Sequence, residues 1–431
     1  MAGISGIRTQ QEMLRPSAGL ADFKSNSSAE RANVFAAWLA LIGLLIPSAE
    51  VQVFIATAKF TVGRLCIILL LLPALIALCQ RGRRTLMTDA FACATAIWII
   101  IAGFNANGSD SVSSSVAEAI EFAGGYLVAR AFFFGPLALQ TFLKVLKIVA
   151  FVSIVLATAD SVSGRLIVHD TFASLLQVAS VGAQYRGGMV RAASTLDHAI
   201  HFGAFCSVVG IILLYSERSG VGRLVWVGIC FYGCILSWSS SGLMSFLLAL
   251  SAYSYDRLLK NQLWRWKVLC AVAVMIFTVF FLVSSNPMAW IVSHLTLDPE
   301  SGFFRFLIWD AATSKISESP FLGFGLQLFN HPILDATVDS VWLVTALRFG
   351  LPAVLLLALT NFSAMRAPGN VSSERPSAAY ISTLRTGFTM VLVMFMFIGF
   401  TVHYWNYLWI FWGICIGVRA SLNEYMMTTA G

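Results

Sequence analysis

Long apolar runs separated by short polar punctuation occupy most of this chain. They fall at about 34–54, 61–79, 88–104, 116–135, 144–159, 198–215, 221–238, 241–256, 267–284, 341–361, 386–402 and 404–419. All but the shortest approach the ~20 residues that a helix needs to cross a bilayer. The pattern predicts an all-α integral membrane protein with about twelve transmembrane helices. The last two runs meet around His403 and predict a tight hairpin. One polar stretch, Ser285 to Leu351, interrupts the pattern with nine runs before it and three after. Within it a helix pattern carries Arg305, Trp309 and Asp310 and stops at Ser319-Pro320. A turn spaced by Gly323 and Gly325 follows, and Asp339 opens another apolar helix. Loops of this length are usually functional or disordered, and the aromatic content of this one argues for order.

The same pattern divides the chain into a polar N-terminal tail over 1–33, a polytopic domain over 34–420 and a short tail over 421–431. Its two long loops cover about 160–197 and 285–340. The N-terminal tail lacks an apolar stretch followed by a small-residue cleavage site, so it reads as a cytoplasmic tail rather than a removed signal peptide.

Composition and charge sharpen this picture. Of 431 residues, 58% are hydrophobic and 11% charged, whereas soluble domains carry about 25% charged residues. A soluble fold is excluded. The net charge of +7 is no sign of nucleic-acid binding, because its distribution follows the positive-inside rule. With both termini cytoplasmic, 20 of the 28 basic residues fall inside. The outer side keeps Lys59, Arg64, Arg165, Arg186, Arg191, Arg305, Lys315 and Arg348. All six histidines fall on that outer side as well. Candidate chemistry therefore faces outward, in the two long loops. The span centres hold few ionisable groups, unlike the intramembrane relays of ion-coupled transporters. The eight cysteines sit in or beside apolar runs without metal or disulfide spacing and read as packing residues.

The first long loop ends in QYRGGMVRAASTLDHAIHFGAF. Arg186 and Arg191 need a counter-anion, which is either a loop carboxylate such as Asp197 or a phosphate group matched to the guanidinium fork. Asp197 also reads as the cap of the following helix. His198 and His201 share a helix face, as interfacial packing or as ligands; a zinc site would need two further ligands. In the second loop Arg305 and Trp309 lie one turn apart. Arg305 fits an external anion, and Trp309 fits packing or a substrate platform. Asp339 is either a helix cap or a general base, with His331 and Glu318 as weaker candidates for the base. The turn SWSSSG presents Ser237, Ser239, Ser240 and Ser241, but without the surroundings of an activated nucleophile.

These segments resemble the superfamily of O-antigen ligases and Wzy-type polysaccharide polymerases, in particular its exopolysaccharide polymerase-like members. SGFFRFLIW, SPFLGFGLQLF and DSVWLVTALRFGLPAVLLL resemble the family's loop and re-entry helix, and RAASTLDHAIHFGAF resembles its other loop. EFAGGYLVAR is also in keeping. The ligase-like core covers about 185–360. The resemblance implies a bacterial inner-membrane glycosyltransferase with its active site facing the periplasm. It would use an undecaprenyl-pyrophosphate-linked glycan as donor and another glycan as acceptor, and neither a cofactor nor a metal. A chain-length regulator would be a partner, and nucleic acid would not. Arg191 and Arg305 would then stabilise the departing pyrophosphate, and Asp339 would deprotonate the acceptor hydroxyl. Arg186, His198, His201, Trp309, His331 and Arg348 would line the substrate path. Asp339 and Ser340 stand where ligases carry His-Asn, and the segment after Asp197 lacks Pro-Asn. SWSSSG replaces a Ser-Arg pair common in the family. Polymerase, ligase that transfers glycan to lipid A-core, and flippase or other transporter are the three functions left open.

Overall fold

The computed structural model describes residues 31–55, 58–80, 82–108, 112–262, 264–283, 299–366 and 376–429. The N-terminal tail up to residue 30, His294 and the first part of the second long loop lie outside the described residues. The described residues are overwhelmingly helical, with two short antiparallel ribbons among them. Among the described residues, five helices are long and apolar enough to cross a membrane: Met87–Ala106, Pro136–Ser163, Ala199–Ser216, Val341–Met365 and Ala379–Ile398.

Eleven of the apolar runs become helical segments. The first does not stay helical to its end. Helix α1 (Arg31–Ile42) gives way to turns around Pro47. Residues Gln52–Ile55 (β1) then pair with Ala58–Thr61 (β2) in a hairpin. Proline cannot continue the helix, and an apolar run alone does not separate helix from strand. The other elements before the first long loop are α2 (Val62–Leu78), α3 (Met87–Asn107), α4 (Val112–Ala119), α5 (Gly125–Phe132) and α6 (Pro136–Ser163). A π-helical turn, Ile120–Gly124, joins α4 to α5. Leu69, Leu72 and Ile76 project outward from α2, as apolar side chains facing lipid would.

The centre of the bundle is α8 (Ala199–Ser216), in which every side chain except Ile200 is buried. It packs against α9 (Gly220–Leu236), α10 (Ser240–Leu258) and α15 (Pro376–Ile398). A Cβ on Gly242 of α10 would lie 2.7 Å from the Gly203 backbone of α8. Only glycine permits that approach, and it sets the start of α10 beside the start of α8. The second buried column is α16 (Tyr407–Thr429), which packs against α5, α14 (Val341–Met365) and α15. Residues 421–429, expected as a tail, continue this helix.

The polar stretch folds much as its punctuation implies. Helix α12 (Pro299–Glu318) follows α11 (Arg265–Val283), and a short α13 (Pro332–Ala336) precedes α14. Inside α14, Gly350 adopts φ 78° and ψ 172°, ahead of Pro352, and the helix kinks there. The kink strands three carbonyls, and each finds a donor. Phe324 N–H binds Leu347 O at 2.7 Å, Gly325 N–H binds Arg348 O at 2.9 Å, and the Trp98 indole binds Phe349 O at 2.9 Å. Leu351 N–H returns to Pro320 O at 2.8 Å. A Cβ at Gly350 would lie 1.9 Å from Phe321 O, so no other residue admits this lacing. Satisfying every exposed backbone group is what an apolar surrounding demands.

Candidate active site

The first long loop is pinned before it reaches the site. Helix α7 (Ile167–Leu176) places His169 between two acceptors, Glu50 Oε2 at 2.8 Å and Leu196 O at 3.1 Å. Burial opposes charge on this ring, but the Glu50 carboxylate and the carbonyl hold its pKa above the ordinary value. Asp160 accepts from the Ile167 and Ser194 amides, both at 2.9 Å. The loop then forms a hairpin, β3 (Tyr185–Arg186) and β4 (Met189–Val190), closed by Gly187 and Gly188 at φ 57° and 78°. Two positive φ values make the primed turn that glycine pairs favour. Its register sets Gln184 opposite Arg191, whose N–H donates to Gln184 O at 2.8 Å.

The ribbon lies over the turn between α9 and α10. Ala192 N–H donates to Leu236 O at 3.1 Å, Arg186 Nη1 to Trp238 O at 2.8 Å, and Arg191 Nε to Ser237 O at 3.4 Å. A cavity of about 180 Å³ opens there, lined by Gln184, Arg186, Arg191, His198, Ile200, Ser239, Ser240, Ser241, Arg305 and Asp339. Three guanidiniums and one carboxylate, drawn from three separate stretches of sequence, thus share one small polar space.

Both expected aspartate caps are displaced by one residue. His198 caps α8, its Nδ1 accepting from Ile200 N–H at 3.0 Å. Ser340 caps α14, its Oγ accepting from Leu343 N–H at 3.4 Å and donating to Gly399 O at 3.0 Å. Asp197 is held by Ser48 Oγ and by Asn406 Nδ2, which ties the loop to the start of α16. Asp339 accepts from Thr337 Oγ1 at 2.8 Å and remains on the cavity wall. Burial, then His201 and Arg191, push the His198 pKa down to about 4, so its ring is neutral.

Of the sequence-derived candidates, Arg186, Arg191, His198, Arg305 and Asp339 meet at the cavity. The other four serve elsewhere. His201 donates from Nε2 to His403 O at 2.8 Å and packs on Trp405. Trp309 stacks on Phe400 with ring centroids 6.1 Å apart. His331 caps α13 through Nδ1, and Arg348 faces Glu118 at 3.6 Å. Gln184 and the serines join the wall without having been singled out for it. The Gly-Gly turn carried the signal for Gln184, because a two-residue hairpin fixes which residue faces Arg191. Ser239 stands at the N-cap of α10, but its hydroxyl meets Ser241 Oγ at 3.0 Å rather than capping the helix. The first turn of a 19-residue helix therefore opens toward the arginines.

Chemically, this arrangement can hold a multiply charged anion beside a carboxylate placed to receive a proton. Residues 225–358 match the protein family described as O-Antigen ligase. The match begins in α9 and ends in α14, and so spans Ser239–Ser241, Arg305 and Asp339. The matched stretch is similar to that family over about a third of the chain. No curated protein matches the chain.

Proposed function

We propose, from that partial match and the geometry of the site, that the cavity is the transfer site of a glycosyltransferase that polymerises lipid-linked oligosaccharide repeat units. The observation that carries this reading is the convergence of Arg186, Arg191, Arg305 and Asp339 on one cavity. The donor is a glycan joined to undecaprenyl pyrophosphate. Its pyrophosphate lies among the guanidiniums, whose planar forks match phosphate oxygens, with the α10 N-terminus adding positive potential. An acceptor hydroxyl gives its proton to Asp339 while its oxygen bonds to the anomeric carbon. The carbon–oxygen bond to the pyrophosphate breaks, and the leaving group departs with the electron pair. The charge growing on that leaving group is what the arginines stabilise, often the largest single contribution to such a rate.

The 20-to-8 division of basic residues supports an arrangement of about twelve spans with both termini cytoplasmic and the cavity facing the periplasm. The acceptor is the non-reducing end of a second repeat unit. The family description favours one other reading, transfer to lipid A-core. Purified protein in detergent, given an undecaprenyl-pyrophosphate repeat unit without nucleotide sugar, should yield a ladder of multiples that Arg305→Ala abolishes. Release of undecaprenyl pyrophosphate only when lipid A-core is added would replace the polymerase with the ligase. No turnover with either acceptor would overturn both and leave the transporter class.

A further inference from the structure

The wall of the cavity holds three groups whose hydrogen bonds conflict. Gln184 Oε1 accepts from Arg191 Nη1 at 2.9 Å, which turns the amide nitrogen toward His198 Nε2, 2.9 Å away. His198 Nδ1 accepts from the Ile200 amide, so the single proton of the neutral ring sits on Nε2. An Nε2–H then faces an amide NH2, donor against donor. Reversing the amide satisfies His198 but sets NH2 against the Arg191 guanidinium. Moving the ring proton to Nδ1 breaks the cap of α8. An amide has one oxygen, and here donors approach it from opposite sides.

An anion removes the conflict. With a phosphate oxygen beside Arg191, the amide can reverse, and its carbonyl accepts from His198 Nε2–H. Its NH2 then lies beside Arg191 Nη1, and a phosphate oxygen between the two accepts from both, separating donors that would otherwise face each other. We propose that Gln184 is a positioning residue whose amide reverses when the donor pyrophosphate binds, fixing His198 and adding a donor to the phosphate. This rests on reading the cavity as the pyrophosphate site. Gln184 is well placed for the task because the hairpin register holds its backbone opposite Arg191 while its side chain is exposed on the cavity wall.

The test uses the full chain in detergent, labelled with ¹⁵N in its six histidines and titrated with inorganic pyrophosphate. His198→Gln identifies the His198 signal, and thermal melting verifies that each variant is folded. In the native chain, saturable binding should shift the His198 Nε2–H resonance toward that of a stronger hydrogen bond. Gln184→Glu offers an oxygen to each neighbour, so its resonance should be shifted before pyrophosphate is added. Its carboxylate also competes for Arg191, and affinity should fall about tenfold to a hundredfold, the worth of one charge-assisted hydrogen bond. Gln184→Met should leave the resonance unresponsive and raise KM for the lipid donor more than it lowers kcat. If the native chain binds no pyrophosphate, the anion site itself fails, and this proposal with it. Should it bind with an unmoved His198 signal, or Gln184→Glu bind as tightly as the native chain, only the role of Gln184 is overturned.

Discussion

At the Glu424 end of the last helix, Arg83 and Arg130 meet Glu424 and Asp89 in a buried cluster. Arg83 grips both Glu424 oxygens at 3.0 and 2.9 Å, and Arg130 reaches Asp89 at 2.9 Å and Glu424 as well. At the Asn406 end, Arg186, Arg191 and Arg305 line a cavity with Asp339, the one carboxylate among the described lining residues. The two ends are 18 residues apart along α16, roughly 27 Å at helical rise, about the thickness of a hydrocarbon core. Two acids for two arginines is a closed account, and such a cluster joins α3, α5 and α16. Among the described residues, three arginines and one acid line the cavity, a set that the proposed function assigns to an incoming anion. On the proposed function the same residue type performs opposite tasks at the two ends, holding the fold at one and the donor at the other.

If that contrast holds, substitutions at the two ends must fail differently. The largest change in turnover is expected for Asp339→Asn, which removes the proton acceptor and should lower kcat by about 10²–10⁴-fold, with pyrophosphate binding retained. Arg305→Ala or Arg191→Ala should lower kcat by about 10²–10³-fold and weaken pyrophosphate binding, measured in the same transfer assay. Glu424→Gln should act on the fold instead. Removing half of a buried pair should destabilise by about 3 kcal/mol, visible as a lower melting temperature, while turnover per folded molecule stays unchanged. Loss of turnover in folded Glu424→Gln would erase the distinction between the two ends. The smallest effect concerns His198. Its pKa falls from an ordinary 6.5 to about 4 in the folded chain, so the unfolded chain takes up the proton first. Stability is therefore lost as pH falls from 6.5 towards 4, by on the order of 1 kcal/mol. His198→Gln should flatten that part of a melting-temperature profile.

The sequence exposed a good deal of this architecture, for identifiable reasons. Helices with long apolar runs were legible because a membrane-sized run leaves few alternatives. The break at Ser319-Pro320 and the Gly323-Gly325 turn were legible because both residue types restrict the backbone. The run at 34–54 was misjudged because apolarity says nothing about the turns at Pro47 or the hairpin beyond. Arg191, Arg305 and Asp339 stood out because each is a charged residue on the outer side beside an apolar helix. The caps were misplaced by one position, since Asp197 and Asp339 rank well as caps while His198 and Ser340 hold the capping geometry. That one-residue offset leaves Asp339 on the cavity wall and lets Asp197 tie two distant segments together. His331 and Arg348 were drawn in by charge and proximity in sequence, but α13 and Glu118 claim them.

The volume of the cavity has a consequence for what the proposed enzyme can recognise. About 180 Å³ falls below the ~300–1,000 Å³ of pockets that engulf a whole small molecule. It accommodates a charged leaving group and the reacting carbon, but not an oligosaccharide. On the proposed function, the chemistry is therefore blind to most of the polymer it makes. The identity of the sugars must be read at the rim and beyond, by surfaces that can diverge while the charged cup beneath them stays the same.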